Sequence, residues 1–320
     1  MTLSSTPDAR FRGCFTAIVT PFTAGGEGID LERLGEQIGF QAAGGVTGVV
    51  LAGTTGESPT LSDREWHTLV EHGVRLAHAL GILAVAGTGS NSTAHAVELQ
   101  RQAAKLGADA ALSVSPYYNK PVQEGQYVHF MTQADAAALP VILYNIPGRT
   151  GVALTPETVW RLSRHPNVRA IKEATGSLDS AGEICARCPG LALLSGDDSL
   201  TLPMASVGGV GCVSVVSNVL PGAVSGLCSA FLGGDWAGAL RMHRELLGFA
   251  RAMFVETNPI PVKAAMKLLG RDAGALRLPM TGATPATVEL VGKALQGVVH
   301  LMQATGDGAA RKTAGASARG

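Results

Sequence analysis

The chain has 320 residues, of which 46% are apolar and 16% charged, and its 25 basic residues balance its 25 acidic ones. This composition supplies a large hydrophobic core and argues against a disordered chain. The lack of net positive charge argues against nucleic acid or an acidic membrane as a partner.

The first segment, MTLSSTPDARFRG, lacks the apolar stretch of a secretory signal, and no run of about 18 apolar residues predicts a membrane span. The five cysteines are an odd number and do not imply a disulfide framework, so we expect a cytoplasmic protein. Cys185 and Cys188 form a C-x-x-C pair at the end of a predicted helix. No second ligand pair follows it, so we interpret both as small apolar helix residues and expect no metal site.

Eight short apolar segments alternate with longer segments whose apolar residues recur at helical spacing. The predicted strands cover residues 14–22, 48–53, 82–89, 110–116, 140–147, 168–174, 191–198 and 211–218. Eight such units are the count of an α/β (β/α)8 TIM barrel, and uniformly apolar strands are expected when both faces are buried. A doubly wound open sheet is the alternative. It predicts a G-x-G-x-x-G turn after the first strand, which residues 19–28 lack.

The strand pattern stops after residue 235, and helical periodicity continues over residues 236–254, 259–270 and 285–303. The predicted barrel therefore carries a C-terminal helical appendage. We divide the chain into an N-terminal tail, the barrel, the C-terminal helical region and a polar, disordered tail, at residues 1–11, 12–235, 236–303 and 304–320.

Polar residues follow five of the predicted strands, at the end where a barrel carries its active site. They occur in GTTGES (53–58), SPYYN (115–119), LYNIPGRTG (143–151), IKEATG (171–176) and SGDDS (195–199). Each segment alone is only moderately specific. Together at one end of a barrel they predict a site.

Lys172 lies inside an otherwise apolar strand, although lysine is rarely buried without a partner. Desolvation disfavours the charged form of a lysine, and a neutral amine can attack a ketone and form a Schiff base. An ion pair with Glu173 is the alternative, but neighbouring residues of a strand point to opposite faces. The sequence therefore favours Lys172 as a nucleophile.

Tyr144 ends the neighbouring strand, where its phenol could carry protons for chemistry on Lys172; an ordinary strand-end tyrosine is the alternative. Thr54 and Thr55 could bind a small carboxylate or relay a proton, although GTTGE alone is as typical of a tight turn. Arg149 offers a forked donor for a second carboxylate, although a single arginine at a barrel mouth is more often solvated.

The chain resembles the dihydrodipicolinate synthase (4-hydroxy-tetrahydrodipicolinate synthase) family from about residue 13 to residue 302. The resemblance is carried, in order, by GTTGESPTLS, VSPYYNKP, ILYNIPGRTG, IKEATG, LLSGDD and NPIPVKAAMKLLG. Within the wider superfamily of pyruvate-dependent class I aldolases, Arg149, NPIPVK and LRLPM favour the synthase over the N-acetylneuraminate lyases.

The resemblance implies that Lys172 forms a Schiff base with pyruvate and that no metal or organic cofactor is needed. Tyr144, Thr54 and Tyr118 would form a proton relay. Tyr118 would reach into the neighbouring subunit's site of a homotetramer, a dimer of dimers.

The resemblance also implies the substrate contacts. Thr55 would bind the pyruvate carboxylate, and Arg149 would bind the carboxylate of aspartate 4-semialdehyde. Gly196 and Val213 would line the site through their backbones.

Family members that are inhibited by lysine bind it at a dimer interface, in a pocket matched here by Ser58, Asn91 and Tyr117. The acidic position of that pocket is His95 in this chain, and Asp63 and Trp66 occupy two positions where histidine is frequent. Since a cationic effector would lose a carboxylate partner, we expect weak or absent lysine feedback.

We expect an enzyme that condenses pyruvate with L-aspartate 4-semialdehyde in diaminopimelate and lysine biosynthesis. The alternative is another pyruvate-dependent Schiff-base aldolase or dehydratase acting on a different aldehyde or keto-sugar acid, and Arg149 discriminates between the two. A non-catalytic barrel that only binds a keto acid or a protein would tolerate Lys172→Arg. The enzyme would not, because arginine stays protonated.

Overall fold

The structure, a computed structural model, describes residues 6–304. The first five residues of the predicted N-terminal tail lie outside the described residues. So does the predicted C-terminal tail, except for Ala304, which closes the last helix.

Eight parallel strands form a closed barrel in sequence order, with the last strand hydrogen-bonded to the first. They are β1 Gly13–Ala17, β2 Gly48–Leu51, β3 Leu83–Gly87, β4 Ala110–Val114, β5 Val141–Asn145, β6 Val168–Glu173, β7 Ala192–Ser195 and β8 Gly211–Ser214. The predicted TIM barrel is confirmed. Every strand ends one to five residues earlier than predicted. The residues beyond these ends form the loops that carry the polar side chains.

Nine α-helices among the described residues lie between the strands or follow the last one. They are α1 Leu31–Ala43, α2 Asp63–Ala79, α3 Thr93–Lys105, α4 Gln123–Ala136, α5 Pro147–Thr150, α6 Pro156–Ser163, α7 Leu178–Arg187, α8 Thr201–Ser206 and α9 Pro221–Leu232. Side-chain oxygens cap several of these helices. Thr155 caps α6 ahead of Pro156, and Ser62 forms a capping box with Glu65 at the start of α2.

Three helices follow the barrel close to the predicted positions: α10 Trp236–Ala252, α11 Ile260–Leu268 and α12 Pro285–Ala304. Helix α10 packs on α9, and α12 packs on both α10 and α11. Apolar residues of α10, α11 and α12 belong to the same hydrophobic cluster as the outer faces of β1 and β2. The C-terminal helical region is therefore continuous with the barrel's core.

The barrel interior has its own apolar cluster, which includes Phe15, Val50, Val85, Ile142, Tyr144, Ala170, Leu194 and Val213. Side chains of a strand alternate between faces, so Lys172 shares the inward face with Ala170. Large apolar side chains thus fill the barrel below the level of Lys172.

The C-x-x-C pair lies where the sequence predicted, since α7 ends at Arg187 and Cys188 caps it. Burial raises the pKa of the Cys185 thiol to about 11 and also raises the pKa of Cys188. Within residues 6–304, no three His, Cys, Asp or Glu side chains are grouped so that they could hold a metal ion. Over the same residues, no helix combines the length and apolar character needed to cross a membrane.

Candidate active site

Lys172 lies on β6 in register with Tyr144 on β5 and with Leu194 on β7. Its side chain is 5% exposed, and its Nζ is 4.2 Å from the centroid of the Tyr144 ring. No carboxylate among residues 6–304 forms an ion pair with it. Lys172 is thus a buried amine beside a tyrosine ring with no carboxylate of the described residues in contact, and a lysine amine can act as a nucleophile toward a ketone.

A second buried lysine, Lys263 on α11, shows the contrasting arrangement. Its side chain is also 5% exposed, but its Nζ lies 2.6 Å from Glu57 Oε1 and donates to the Ala275 carbonyl at 3.1 Å. Burial lowers the pKa of Lys263, and the Glu57 carboxylate opposes that shift. The sequence did not single out this residue, because its helix carries no polar pattern that marks a buried ion pair.

Glu173 does not pair with Lys172, as the strand alternation predicted. Its Oε2 accepts a hydrogen bond from Asn145 Nδ2 at 3.1 Å, and its Oε1 accepts one from the Thr175 N–H at 2.7 Å. Burial raises the pKa of the Glu173 carboxyl. Asn145 and Glu173 are register partners one residue beyond Tyr144 and Lys172. Because neighbouring residues of a strand point to opposite faces, this bond helps to hold the Tyr144 and Lys172 side chains on the inward face.

Gly196 packs directly against the stem of Lys172. A Cβ at Gly196 would lie 3.1 Å from the Cγ and Cε of Lys172 and 2.7 Å from the Ala174 Cβ. Its N–H donates to the Glu173 carbonyl at 2.7 Å. Only glycine therefore fits beside the amine without displacing it.

Val213 lies on β8 inside the barrel and is 1% exposed. The loop that follows it is tied to the loop after β7 by Asp198, whose carboxylate accepts hydrogen bonds from the Val215 N–H at 2.8 Å and the Val216 N–H at 3.2 Å. The Ser214 hydroxyl also donates to it. Burial raises the pKa of Asp198 to about 7.

A cavity of about 380 Å³ opens at the carboxyl ends of β2 to β5. Thr54, Tyr144 and Arg149 line it, so the structure brings three predicted site residues together. Lys172, Thr55, Gly196 and Val213 are not among its lining residues. The same cavity includes five residues of the predicted effector pocket, namely Ser58, Asp63, Trp66, His95 and Tyr117.

Thr55 and Arg149 share one neighbour, Asn258, which precedes α11. The Asn258 Nδ2 donates to Thr55 Oγ1 at 2.9 Å, and Arg149 Nη2 donates to the Asn258 carbonyl at 3.1 Å. Thr55 is 2% exposed and Asn258 is 5% exposed. Asn258 is part of the NPIPVK segment, but nothing in the sequence shows which earlier loop it contacts.

Tyr118 stands apart from the other candidates. It is 88% exposed, has a backbone φ of +73° and does not line the cavity. A left-handed conformation is unfavourable for a tyrosine. Its side chain is thus available to a second molecule.

A family model described as the dihydrodipicolinate synthetase family matches residues 10–298. The chain belongs to this family. The 4-hydroxy-tetrahydrodipicolinate synthase of Citrifermentans bemidjiense is 51% identical to it over 271 residues, which cover 84% of this chain and 92% of that relative. The predicted family and the predicted class of enzyme, a lyase-type synthase, are confirmed.

Solved structures of this family share the fold. The chloride-inhibited dihydrodipicolinate synthase of Acinetobacter baumannii, complexed with pyruvate, is 39% identical with a TM-score of 0.87, covering 90% of this chain and 98% of that one. A dihydrodipicolinate synthase variant characterised as monomeric is 40% identical with a TM-score of 0.87, covering 90% and 97%.

Proposed function

We propose that this enzyme condenses pyruvate with L-aspartate 4-semialdehyde through a Schiff base on Lys172, as a 4-hydroxy-tetrahydrodipicolinate synthase of diaminopimelate and lysine biosynthesis. The observation that carries the proposal is the buried amine of Lys172, which has Tyr144 beside it and no carboxylate of the described residues paired with it. The relative that binds pyruvate and shares the barrel supports this substrate.

The Lys172 amine attacks C2 of pyruvate, and loss of water from the carbinolamine gives the imine. Removal of a proton from C3 then gives an enamine, whose C3 attacks the aldehyde carbon of the second substrate. The semialdehyde's own amine next attacks C2, expels Lys172 and closes the ring. The imine nitrogen is the electron sink throughout, so the reaction needs neither a metal nor an organic cofactor.

The protons of these steps need a group that can both give and take them at the imine. Tyr144 is suited to this role because its ring lies against the Lys172 amine. Thr54 lines the same cavity as Tyr144 and would carry protons between the Tyr144 phenol and Tyr118 of a second subunit.

The two carboxylates need separate partners. Thr55 would hold the pyruvate carboxylate through its hydroxyl, and Arg149 at the cavity mouth would hold that of the semialdehyde. Gly196 and Val213 would contact the imine through their backbones, with Gly196 already packed on the Lys172 stem.

The proposal is tested by incubating the enzyme with pyruvate and aspartate 4-semialdehyde and coupling product formation to a downstream reductase. Pyruvate-dependent consumption of the semialdehyde supports the proposal. A faster reaction with another aldehyde or a keto-sugar acid would favour the alternative aldolase or dehydratase.

We also propose that the enzyme works as a homotetramer, a dimer of dimers in which Tyr118 completes the partner's site. The 88% exposure and the left-handed backbone of Tyr118 support this role. Two inactive variants, Lys172→Ala and Tyr118→Phe, decide the matter when they are mixed and reassembled. A hybrid dimer contains one site with both native side chains, so activity should return. If the hybrids regain no activity, Tyr118 does not complete the site of the partner subunit.

Lysine regulation is proposed to be weak. His95 lines the cavity where an acidic partner is expected, and the carboxylate that the cavity does contain, Asp63, is exposed at the start of α2. We further propose that the enzyme is cytoplasmic, where its five free cysteines, none of them in a disulfide, would stay reduced.

A further inference from the structure

We propose that Asn258 is a positioning residue that directs the hydroxyl proton of Thr55 toward the substrate carboxylate. The inference rests on the proposed function, since it states that the Thr55 hydroxyl donates to the pyruvate carboxylate. It gives the C-terminal helical region an indirect part in substrate binding, through Thr55.

The argument starts from the capacity of a hydroxyl, which has one donor and two acceptor positions. The Asn258 Nδ2 donates to Thr55 Oγ1 at 2.9 Å and so occupies one acceptor position. The Thr55 hydroxyl proton therefore cannot point toward Asn258 Nδ2 and must point in another direction. A hydroxyl that already accepts a hydrogen bond is also a stronger donor, which suits a carboxylate acceptor.

The second contact of Asn258 uses a different atom. Arg149 Nη2 donates to the Asn258 backbone carbonyl at 3.1 Å, which any replacement of the side chain leaves in place. The two substrate contacts can therefore be separated: a change of the Asn258 side chain should affect the pyruvate carboxylate and spare the semialdehyde carboxylate.

The surrounding contacts hold this segment in place without the Asn258 side chain. Glu57 lies two residues after Thr55 in the chain. Its Oε1 pairs with Lys263 Nζ at 2.6 Å, and its Oε2 accepts a hydrogen bond from the Arg277 backbone N–H at 3.0 Å. The loop after β2 thus remains fixed to α11 and to the segment after it. Replacement of Asn258 should leave the fold intact.

The test compares Asn258→Ala and Asn258→Asp with the unmodified enzyme, with KM measured for both substrates and kcat at saturation. Asn258→Ala should raise the pyruvate KM about ten-fold. This is the effect expected when Thr55, which binds the charged substrate, loses a hydrogen bond. Asn258→Asp should raise it about a hundred-fold, because the new carboxylate accepts the Thr55 proton and repels the substrate. The KM for the semialdehyde and kcat should each change less than about three-fold.

A double-mutant cycle with Thr55→Val shows whether Asn258 acts through Thr55. Once the hydroxyl is absent, adding Asn258→Ala should raise the pyruvate KM by less than about two-fold. Equal increases in both KM values, or additive effects in the cycle, would show that Asn258 only supports the structure. An Asn258→Asp variant with an unchanged pyruvate KM would show that Thr55 donates to Asn258 instead, which also overturns the proposal.

Failure of this inference is distinguishable from failure of the proposed function. If the unmodified enzyme forms no imine with pyruvate, the proposed reaction is wrong whatever Asn258 does. If the imine forms and the Asn258 variants bind pyruvate normally, only the role of Asn258 is refuted. Melting temperatures of all variants provide the control for folding.

Discussion

Replacement of the two buried lysines by methionine should change stability in opposite directions. Both side chains are 5% exposed, but within the part of the chain that the structure describes only Lys263 has a carboxylate partner, Glu57 at 2.6 Å. Lys172→Met removes an amine that lies 4.2 Å from the centroid of the Tyr144 ring and forms no ion pair with a carboxylate among residues 6–304. Lys263→Met leaves the Glu57 carboxylate buried without its ion-pair partner.

The magnitudes follow from these contacts. Burial of an unpaired amine costs about 1–3 kcal/mol if it is neutral and several kcal/mol if it is charged. The face of the Tyr144 ring stabilises a charged amine by about 2 kcal/mol and does not stabilise a neutral one. The free-energy cost of burying the Lys172 amine therefore exceeds this gain in either protonation state. Lys172→Met should therefore raise the free energy of unfolding by about 1–3 kcal/mol. Lys263→Met should lower it by about 3–5 kcal/mol, the usual cost of breaking a buried ion pair.

Thermal and urea unfolding of the two variants and the unmodified enzyme measure this difference at pH 7. A melting temperature several degrees higher for Lys172→Met, together with complete loss of activity, is the expected result. A Lys172→Met variant as destabilised as Lys263→Met would refute the reasoning. It would mean that the Lys172 amine has a strong stabilising partner in the folded enzyme.

Three further predictions concern substrate choice, pH and regulation. Arg149→Gln should raise the KM for aspartate 4-semialdehyde at least ten-fold while the pyruvate imine still forms, and equal loss of both would refute its role. Hydrogen bonds from the Arg277 guanidinium lower the pKa of Glu65 from 4.5 to about 2. The contribution of this pair to the free energy of unfolding, about 1 kcal/mol, is complete above about pH 4.5 and is lost as the pH falls through about 2. Glu65→Gln should therefore have a lower free energy of unfolding than the unmodified enzyme at pH 7, and the difference should shrink as the pH falls to 2. Lysine should inhibit weakly and His95→Glu should strengthen inhibition, whereas tight inhibition of the unmodified enzyme would contradict that expectation.

The barrel could be predicted because each strand is apolar on both faces and each helix is apolar on one. The strand ends could not, because residues such as Ile18, Val19, Val215 and Val216 are as apolar as the strands they follow. In the structure Ile18, Val19 and Val215 lie in loops, and Val216 begins a short 3-10 helix. Backbone groups there bond to side chains: the Val19 N–H donates to Asn218 Oδ1 at 3.1 Å. Such long-range partners leave no local pattern.

The same distinction applies to the site. Lys172 could be singled out because a cation interrupts an apolar strand, and strand alternation correctly excluded a pair with Glu173. Asn258 and Thr55 are separated by 203 residues, and no periodicity relates them. Lys263 was missed for the same reason, since its partner Glu57 belongs to a loop of the second βα unit.

The most direct test of the central claim is reduction with borohydride in the presence of pyruvate, followed by peptide mass mapping. The account predicts a single pyruvate adduct on Lys172 and, with pyruvate omitted, none. Lys263, equally buried but paired with Glu57, is the internal control and should stay unmodified. An adduct on another lysine, or none on Lys172 in an enzyme that still turns over, would contradict the account.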